Sequence, residues 1–519
     1  MTSMWKLLAA GSFPCFISFA ACAQVHVAYV PSAELCAKQA KPPHKEDALC
    51  STIPAYIGPD PMLATKDGYQ GIFIPPTSAA TDSQTPFDNM AWQMFVGLNW
   101  KDGDQKKGAA AGLSKTGKRI WQSWPRVEDV FGNGPVQASC SNPNNLPVFS
   151  ISSNGKGTPS AKNEEYLQAS TNLPLIDING NWTLYERRLN ATELQYLQAP
   201  GGQASQTLIT ATGQTAFVNA GNTVDFTPSG TNQVGPLGSM EIKASWRILD
   251  KKKGDDPNRY YSMQALLEVP GDLVSGGNKI CQPVTVGLVG MHIIAKNPKT
   301  GPSTVPDNGE LLPEWIWATF EHVDNAPLAQ AACDPATKQC TNFGNASCGA
   351  AAVQANVRYS YFNPSQASPA TNVAPTPSTG DPAFGWNSSQ PYASGYAPPQ
   401  AVRCWQIYSQ THDLNRQWQK ALHASKTVFA NYMLVGTQWG GSLEPTGPSP
   451  MPLNAVPGML SNVTLETYIQ NLAQGTQNAG PGSCISCHSG ATLLDGATSS
   501  NFSFLPGLAS PTASRKVQR

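Results

Sequence analysis

The segment Met240-Glu-Ile-Lys-Ala-Ser-Trp-Arg-Ile-Leu249 alternates apolar residues with mostly polar ones along its length. Successive side chains of a β-strand point to opposite faces of the sheet, so a period of two predicts a half-exposed strand. Such a strand must bury its apolar face against another layer of structure. The segment therefore predicts a protein built around a β-sheet, with other elements packed against it.

Three other segments predict further strands. Residues 284–295 are apolar on both phases, which is typical of a strand covered on both faces. Residues 315–323 are rich in aromatic and β-branched side chains, and residues 432–439 form a further candidate. The middle of the chain should therefore supply most of the sheet.

Helices are expected before and after these strands in the sequence. The threonine and proline that open residues 85–100 suit an N-cap and a first helical position. Apolar residues recur at helical spacing in 413–425 and again in 461–472. Residues 121–130 show the same spacing, which Pro125 should interrupt.

Together these elements predict an α+β fold, in which one sheet-centred body carries several helices and long loops. We divide the chain into a signal peptide (1–23), an irregular lead-in (24–85), the body (86–472) and a C-terminal segment (473–519). Between 329 and 399 the composition shifts to Ala, Ser, Asn, Gln, Gly and Pro. That shift predicts a long surface insertion rather than a second core.

The overall composition narrows the classes of partner. Lys and Arg number 34, as do Asp and Glu, so the zero net charge favours neither nucleic acid nor an anionic membrane. Charged residues make up only 13% of the chain, but its 13 Trp and 17 Phe exclude wholesale disorder. Beyond the N-terminal segment, no run approaches the about 20 apolar residues of a membrane span.

The N-terminus predicts an export signal. Lys6 precedes a mostly apolar stretch, and Ala21-Cys22-Ala23 matches the small-residue pattern before a cleavage site. Cleavage would then fall before Gln24. In the alternative interpretation Cys22 is acylated, as in a lipoprotein, and anchors the chain by lipid. Either way, the expected location is the periplasm or the outside of the cell.

The cysteine content indicates an oxidising compartment. Of twelve cysteines, two lie in the expected signal and two form a CxxC pair, which leaves an even number for disulfides. The sequence does not decide the pairing, although Cys36 with Cys50 is the simplest local choice. The cysteines that we expect to pin the insertion are Cys333, Cys340 and Cys348.

The segment Cys484-Ile-Ser-Cys487-His488 has the spacing of covalent haem attachment. Two thiols at this spacing can add to the two vinyl groups of haem, and the adjacent imidazole can then reach the iron. The geometry of the cofactor dictates the spacing, which makes CxxCH much more specific than CxxC alone. We therefore expect Cys484, Cys487 and His488 to bind one haem c, with His488 as the metal ligand.

Three other chemistries compete for the same residues. A thioredoxin-like dithiol would need a βαβ setting, with which the preceding Gly480-Pro-Gly-Ser483 is not compatible. A zinc site would need a second ligand pair of comparable spacing, which the sequence lacks. A plain disulfide between Cys484 and Cys487 is the remaining alternative.

The segment Ser483–Ala491 resembles the haem-binding loop of c-type cytochromes. Segments 91–100, 315–327 and 434–439 resemble large bacterial proteins that contain a cytochrome c domain and have no established activity. The resemblance implies one covalent haem c per chain and electron transfer with an unnamed redox partner protein. The sequence leaves open whether the protein is an enzyme. The competing hypotheses are a haem enzyme of the peroxidase or oxygenase type and a haem-bearing sensor or binding protein of the cell envelope.

The position of the motif differs from that in small c-type cytochromes, where a distal Met follows it. Only 31 residues follow His488, and none is Met or His, so a second iron ligand comes from upstream or is absent. His322 is favoured, because polar residues follow it where a cofactor edge could lie. His292 is expected to share its strand face with Leu288 and Ile294. The further candidates are Met433, Met451 and Met459. For each candidate, ordinary packing is the competing interpretation.

Overall fold

The structure is a computed structural model. It describes residues 84–103, 109–131, 140–150, 168, 174–228, 238–271, 274, 277–296, 315–333, 348–366, 371–373, 400–440, 455–456, 459–470 and 482–509. Several predictions lie outside these residues: the signal peptide, the acylation of Cys22, almost all of the lead-in, the Cys36–Cys50 pair and Met451.

The described residues form helices and strands in the following order. The helices are α1 (Gln84–Leu98), α2 (Ala109–Gly112), α3 (Val127–Phe131), α4 (Ala191–Gln198), α5 (Ala211–Asn219), α6 (Ser409–Ala424) and α7 (Cys484–His488). The strands are β1 (Val148–Ser150), β2 (Leu184–Leu189), β3 (Met240–Ile248), β4 (Ser262–Val269), β5 (Ile280–Lys296), β6 (Trp315–His322), β7 (Leu328–Cys333), β8 (Ala351–Ala352), β9 (Arg403–Trp405), β10 (Tyr432–Gly440) and β11 (Ala455–Val456).

The main sheet is organised around the long strand β5. One edge of β5 pairs antiparallel with β3, and its other edge pairs antiparallel first with β4 and then with β6. Beyond these, β2 pairs with β3, β10 with β6 and β11 with β10, while β1 adds a parallel strand beside β4. The described part of the chain is sheet-dominated with few helices, which confirms the α+β prediction in this coarse form.

The four predicted strands are present as β3, β5, β6 and β10, with ends that differ by a few residues. Strand β2 was missed because its charged residues hide the alternation. Glu186 is buried there, and Arg188 Nε donates to its carboxylate at 3.0 Å. Pairing within the strand thus makes burial of a charged residue tolerable, which a pattern of apolar residues cannot reveal.

A β-bulge in β5 changes which face its side chains occupy. Ser245 of β3 pairs with Gly290, but the next residue, Trp246, pairs with Leu288, so β5 carries one extra residue there. An extra residue reverses the alternation beyond it. Accordingly Leu288 packs in the same core cluster as Met291. The prediction that His292 shares a face with Leu288 is therefore wrong.

The first face of the sheet is covered by helices α1 and α6. The rings of Trp92 (α1) and Trp418 (α6) stack with centroids 5.2 Å apart, and Phe95 stacks on Phe320 of β6 at 4.2 Å. This layer forms the largest hydrophobic cluster of the described residues. Helices α1 and α6 thus confirm the helices predicted from the sequence at 85–100 and 413–425.

The second face of the sheet is covered by the C-terminal part of the chain. Ile294 of β5 and Trp317 of β6 belong to one buried cluster with Ile485 of α7 and Phe502. Strand alternation explains the separation, because Trp317 and Phe320 differ by an odd number of positions along β6. The CxxCH segment therefore lies on the face opposite to α1 and α6.

A helix was predicted at 461–472, but the described part of that range, residues 461–470, contains no α-helix. Thr467–Ile469 forms a short 3-10 turn there. Upstream of it, the Asn462 side chain donates to Thr319 Oγ1 and to the Phe320 carbonyl, and the backbone N–H of Val463 donates to Glu321. These bonds to β6 hold the segment against the sheet and replace the helical ladder that local spacing favours.

A second, smaller sheet follows β6, with the strand order β8-β7-β9. A disulfide joins Cys348 to Cys404, and another joins Cys140 to Cys281. Cys348, which lies within the predicted insertion, is therefore bonded to Cys404, which lies beyond it. Cys340 and the side chain of Cys333 are not among the parts of the chain that the structure describes. Among the described residues, no helix is long and apolar enough to cross a membrane.

Candidate functional site

The site begins with helix α7, whose five residues are the CxxCH motif. Cys484 and Cys487 are three positions apart, which brings their side chains to the same side of a helix. Both line one cavity of about 250 Å³, which opens to solvent. Neither cysteine forms a disulfide. The plain-disulfide alternative is thus not the arrangement found.

Two contacts fix α7 on the sheet. Gln438 of β10 accepts a hydrogen bond from the backbone N–H of Ile485 at 2.9 Å, and its amide donates to Ser483 Oγ at 3.1 Å. The Ile485 side chain is buried between the sheet and the C-terminal loop. The motif is therefore held rigidly by residues that do not themselves belong to it.

His488 has one ring nitrogen held by the backbone. Its Nδ1–H donates to the Phe502 carbonyl at 2.7 Å, so that the lone pair lies on Nε2. Burial lowers the pKa of His488 to about 4, which keeps the imidazole neutral. A neutral imidazole whose second nitrogen donates to a carbonyl has the usual form of a histidine metal ligand.

An unusual backbone conformation positions the Phe502 carbonyl. Asn501 and Phe502 both have positive φ, at 51° and 68°. The Asn501 side chain stabilises the turn, since its oxygen accepts from Lys296 Nζ at 2.7 Å and from Trp315 Nε1 at 3.0 Å. Two consecutive non-glycine residues in this region are costly, and such conformations concentrate at functional sites.

Aromatic side chains form part of the cavity wall. The ring centroid of His488 lies 5.1 Å from that of Phe504 and 6.0 Å from that of Trp317. Trp317 is buried, and its Nε1–H has no acceptor among the described residues. A buried indole N–H usually finds a partner, so Trp317 is an exception among the residues of this wall.

A second histidine lines the same cavity. His292 Nε2 lies 2.8 Å from Glu466 Oε1, on the segment that crosses the sheet face. Burial tends to raise the pKa of Glu466, but the nearby His292 and Lys243 lower it below its usual value. Glu466 is therefore a carboxylate, and His292 Nε2 is the donor. Lys243 and Arg187 add positive charge to the wall.

His322, the favoured distal candidate, does not line this cavity. Its ring is fully buried and stacks on Tyr260 with centroids 4.0 Å apart. Nε2–H donates to the Arg259 carbonyl at 3.0 Å, while Nδ1 accepts from the Asp324 N–H at 3.2 Å. Backbone groups thus occupy both ring nitrogens, on the sheet face opposite to α7.

The two methionine candidates that the structure describes, Met433 and Met459, do not line the cavity either. Met459 is buried in a separate cluster with Cys348 and Cys404. Met433 pairs with Glu321 between β10 and β6. Of the candidates that the structure describes, His292 is the one at the cavity.

The residues present suit a haem bound through thioethers. Two thiols on one side of a helix, a neutral imidazole with an available Nε2, and aromatic walls are the donors and surroundings that such a group needs. Within the described residues, no group of three or more His, Cys, Asp or Glu side chains could hold a bare metal ion. The zinc alternative therefore gains no support.

Sequence reasoning singled out the three residues of the motif but not those that support them. Gln438, Glu466 and Phe502 come from a strand, a crossing segment and a loop that meet only in the folded chain. The only sequence feature that could have indicated the turn at Phe502 was the polar Asn501 directly before it, which is a weak signal. No protein-family model, curated protein or solved structure matches the chain, so no relative assigns a role to these residues.

Proposed function

We propose that this protein is an exported c-type cytochrome that carries one haem c and transfers single electrons. Cys484 and Cys487 would form the thioether bonds, and His488 Nε2 would coordinate the iron. The observation that carries the proposal is that these three side chains line one cavity while the Phe502 carbonyl holds His488 Nδ1 at 2.7 Å. A haem in this position would supply an iron that alternates between Fe(II) and Fe(III).

The residues around His488 would hold a bound haem in place, which suits a group that gains and loses electrons without moving. Gln438 fixes α7, Phe502 fixes the His488 ring, and Trp317 and Phe504 pack against that ring. A largely apolar environment would help to set the potential of a bound haem iron. Arg187 and Lys243, which line the cavity, are suited to the carboxylate groups of haem.

A haem enzyme is the second candidate, and one observation favours it. Glu466 orients His292, which is the arrangement of a general base held by a carboxylate. If His292 remains bonded to Glu466 and the iron lacks a sixth ligand, the cavity can admit a small oxidant. If His292 instead coordinates the iron, electron transfer is favoured.

The attachment is tested with the full chain produced in a host that matures c-type cytochromes. We expect the denatured protein to keep its haem, with an intact mass increased by one haem. Cys484→Ala and Cys487→Ala should each weaken retention, and the double variant should abolish it. Ser486→Ala is the matched control, because that residue supplies no group to the attachment, and it should retain haem. Haem that acid acetone extracts from the wild type would exclude the proposal.

Absorption spectra separate the two candidates. An electron-transfer protein with His292 as second ligand should give sharp low-spin bands on reduction, and His292→Ala should convert them to high-spin bands that shift with carbon monoxide. A haem enzyme should give such carbon-monoxide-sensitive bands in the wild type. In that case His292→Ala would slow turnover with peroxide and leave the spin state unchanged.

A further inference from the structure

A buried pair of carboxyl groups lies at the wall of the same cavity. Glu241 of β3 lines the cavity, and its carboxyl group meets that of Glu193, the third residue of α4. Glu193 is 0% exposed and Glu241 is 9% exposed. Neither carboxyl oxygen of Glu193 has a hydrogen-bond donor among the described residues, and Glu241 Oε1 has none. The proposed attachment of haem leaves this pair without a role.

Two adjacent carboxyl groups removed from water cannot both be charged. Burial raises the pKa of both groups, and the Glu241 charge raises that of Glu193 further. Bonds from Ser503 and Glu193 and the charge of Arg187 oppose the effect at Glu241. The pair therefore holds one proton, which Glu193 donates to Glu241. A shared proton also explains why Glu193 needs no other donor.

Other titratable and charged groups surround the pair. The other charged or titratable side chains that line the cavity with Glu241 are Arg187, Arg188, Lys243, His292, Glu466, Cys484, Cys487 and His488. Glu128 of α3 reduces the effect of Arg187, to which it pairs at 3.1 Å. Because both carboxyl groups of the pair are buried, a change of charge in the cavity acts on them more strongly than it would in water. Glu241 Oε1 has no donor among the described residues, whereas both carboxylate oxygens of Glu466 accept hydrogen bonds, so the Glu241 carboxylate gains more from a proton.

We propose that Glu193 and Glu241 form a proton-binding site that takes up one proton when the group bound at Cys484, Cys487 and His488 gains one electron. This inference rests on the proposed function. The electron comes from an external one-electron donor, and the proton comes from bulk water. One O–H bond forms on the carboxylate, and it breaks again when the electron leaves.

The midpoint potential of the haem-loaded full chain, measured from pH 5 to 9, tests the coupling. We expect the potential to fall as pH rises, by up to about 59 mV for each tenfold drop in proton concentration, over the range in which the pair titrates. Glu241→Gln should flatten this dependence, because its amide oxygen can accept from the protonated Glu193 but cannot take up a proton. Glu193→Gln should keep the dependence, because its amide can donate to Glu241, which can still take up the proton.

Glu268→Gln is the matched control. Glu268 is also buried, but it lies on β4, bonded to the Cys140 N–H at 2.8 Å, and does not line the cavity. That variant should keep the wild-type dependence. A potential independent of pH in the wild type would overturn the inference. A slope that Glu241→Gln keeps, and that His292→Gln removes, would overturn it as well.

A reduced-minus-oxidised infrared difference spectrum can be measured on the wild type alone, so it does not depend on whether the variants fold. A protonated-carboxyl band should appear on reduction with dithionite, and its absence would contradict proton uptake by the pair. Protein without covalent haem would contradict the proposed function instead. Protein with haem but without the band would contradict only the role of Glu193 and Glu241.

Discussion

His322 shows how burial of a single side chain links stability to pH. Burial lowers its pKa to about 4, whereas an exposed histidine titrates near 6.5. Between these values the unfolded chain binds a proton that the folded chain excludes. Stability is therefore complete above pH of about 6.5 and is lost as pH falls toward 4, by at most about 3 kcal/mol for this residue.

His322→Gln tests this expectation. An amide can donate to the Arg259 carbonyl and accept from the Asp324 N–H, but it does not titrate. Urea unfolding at pH 7 and 4.5 should show a smaller loss of stability at acid pH in the variant than in the wild type. His423→Gln, on the exposed side of α6, serves as control and should behave as wild type. Equal losses in His322→Gln and wild type would contradict the link.

At the residue scale, the sequence predicted the motif and not its surroundings, for a physical reason. Cys484 and His488 lie within one helical turn, so their spacing alone brings them together. Phe502 reaches His488 through two residues with positive φ, and Glu466 reaches His292 through a segment that crosses the sheet. Conformations of that kind depend on tertiary contacts that local patterns do not encode.

At the scale of elements, the bulge in β5 decides which histidine meets the CxxCH helix. Without the extra residue near Val289, His292 would share the face of Leu288, beneath α1 and α6. With it, His292 joins Ile294 on the face that α7 covers. Strict alternation was a sound guide for β3 and β6 but not for β5, because a bulge leaves no clear mark in an apolar strand.

Gly290, beside this bulge, allows segment 459–470 to lie close to the sheet. A Cβ atom at this position would overlap Thr464 Oγ1 and Ser245 Oγ, which are hydrogen-bonded at 2.7 Å. Gly290→Ala should lower the free energy of unfolding by about 1–3 kcal/mol. It should also displace Glu466 from His292, since Glu466 belongs to that segment.

Urea unfolding and the His292 ring resonances in NMR spectra would detect these two effects of Gly290→Ala. Gly507→Ala is the control, because its Cβ would lie at an ordinary 3.5 Å from the Thr492 carbonyl. Comparable destabilisation by both variants would argue that Gly290 has no special packing role.

For the whole molecule, a buried ion pair links the two sheets to the segment that supports the site. Arg403 of β9 donates through both Nη atoms to Glu321 Oε2 of β6, each at 2.7 Å. Glu321 Oε1 accepts from the Val463 N–H at 2.8 Å. The sequence predicted the central strands from their periodicity, but not this three-way junction, which joins residues up to 142 positions apart.

Two disulfides tie distant parts of the chain, and their stabilisation should scale with the loop that each one closes. Cys140–Cys281 spans 141 positions and Cys348–Cys404 spans 56. Closing a loop restricts the unfolded chain, so removing either bond should cost about 2–5 kcal/mol, and the longer loop about 1 kcal/mol more. Urea unfolding of the paired variants Cys140→Ser/Cys281→Ser and Cys348→Ser/Cys404→Ser measures both. A larger loss for the shorter loop would mean that local contacts, such as the Asn372 amide beside Cys348 and Cys404, outweigh chain entropy.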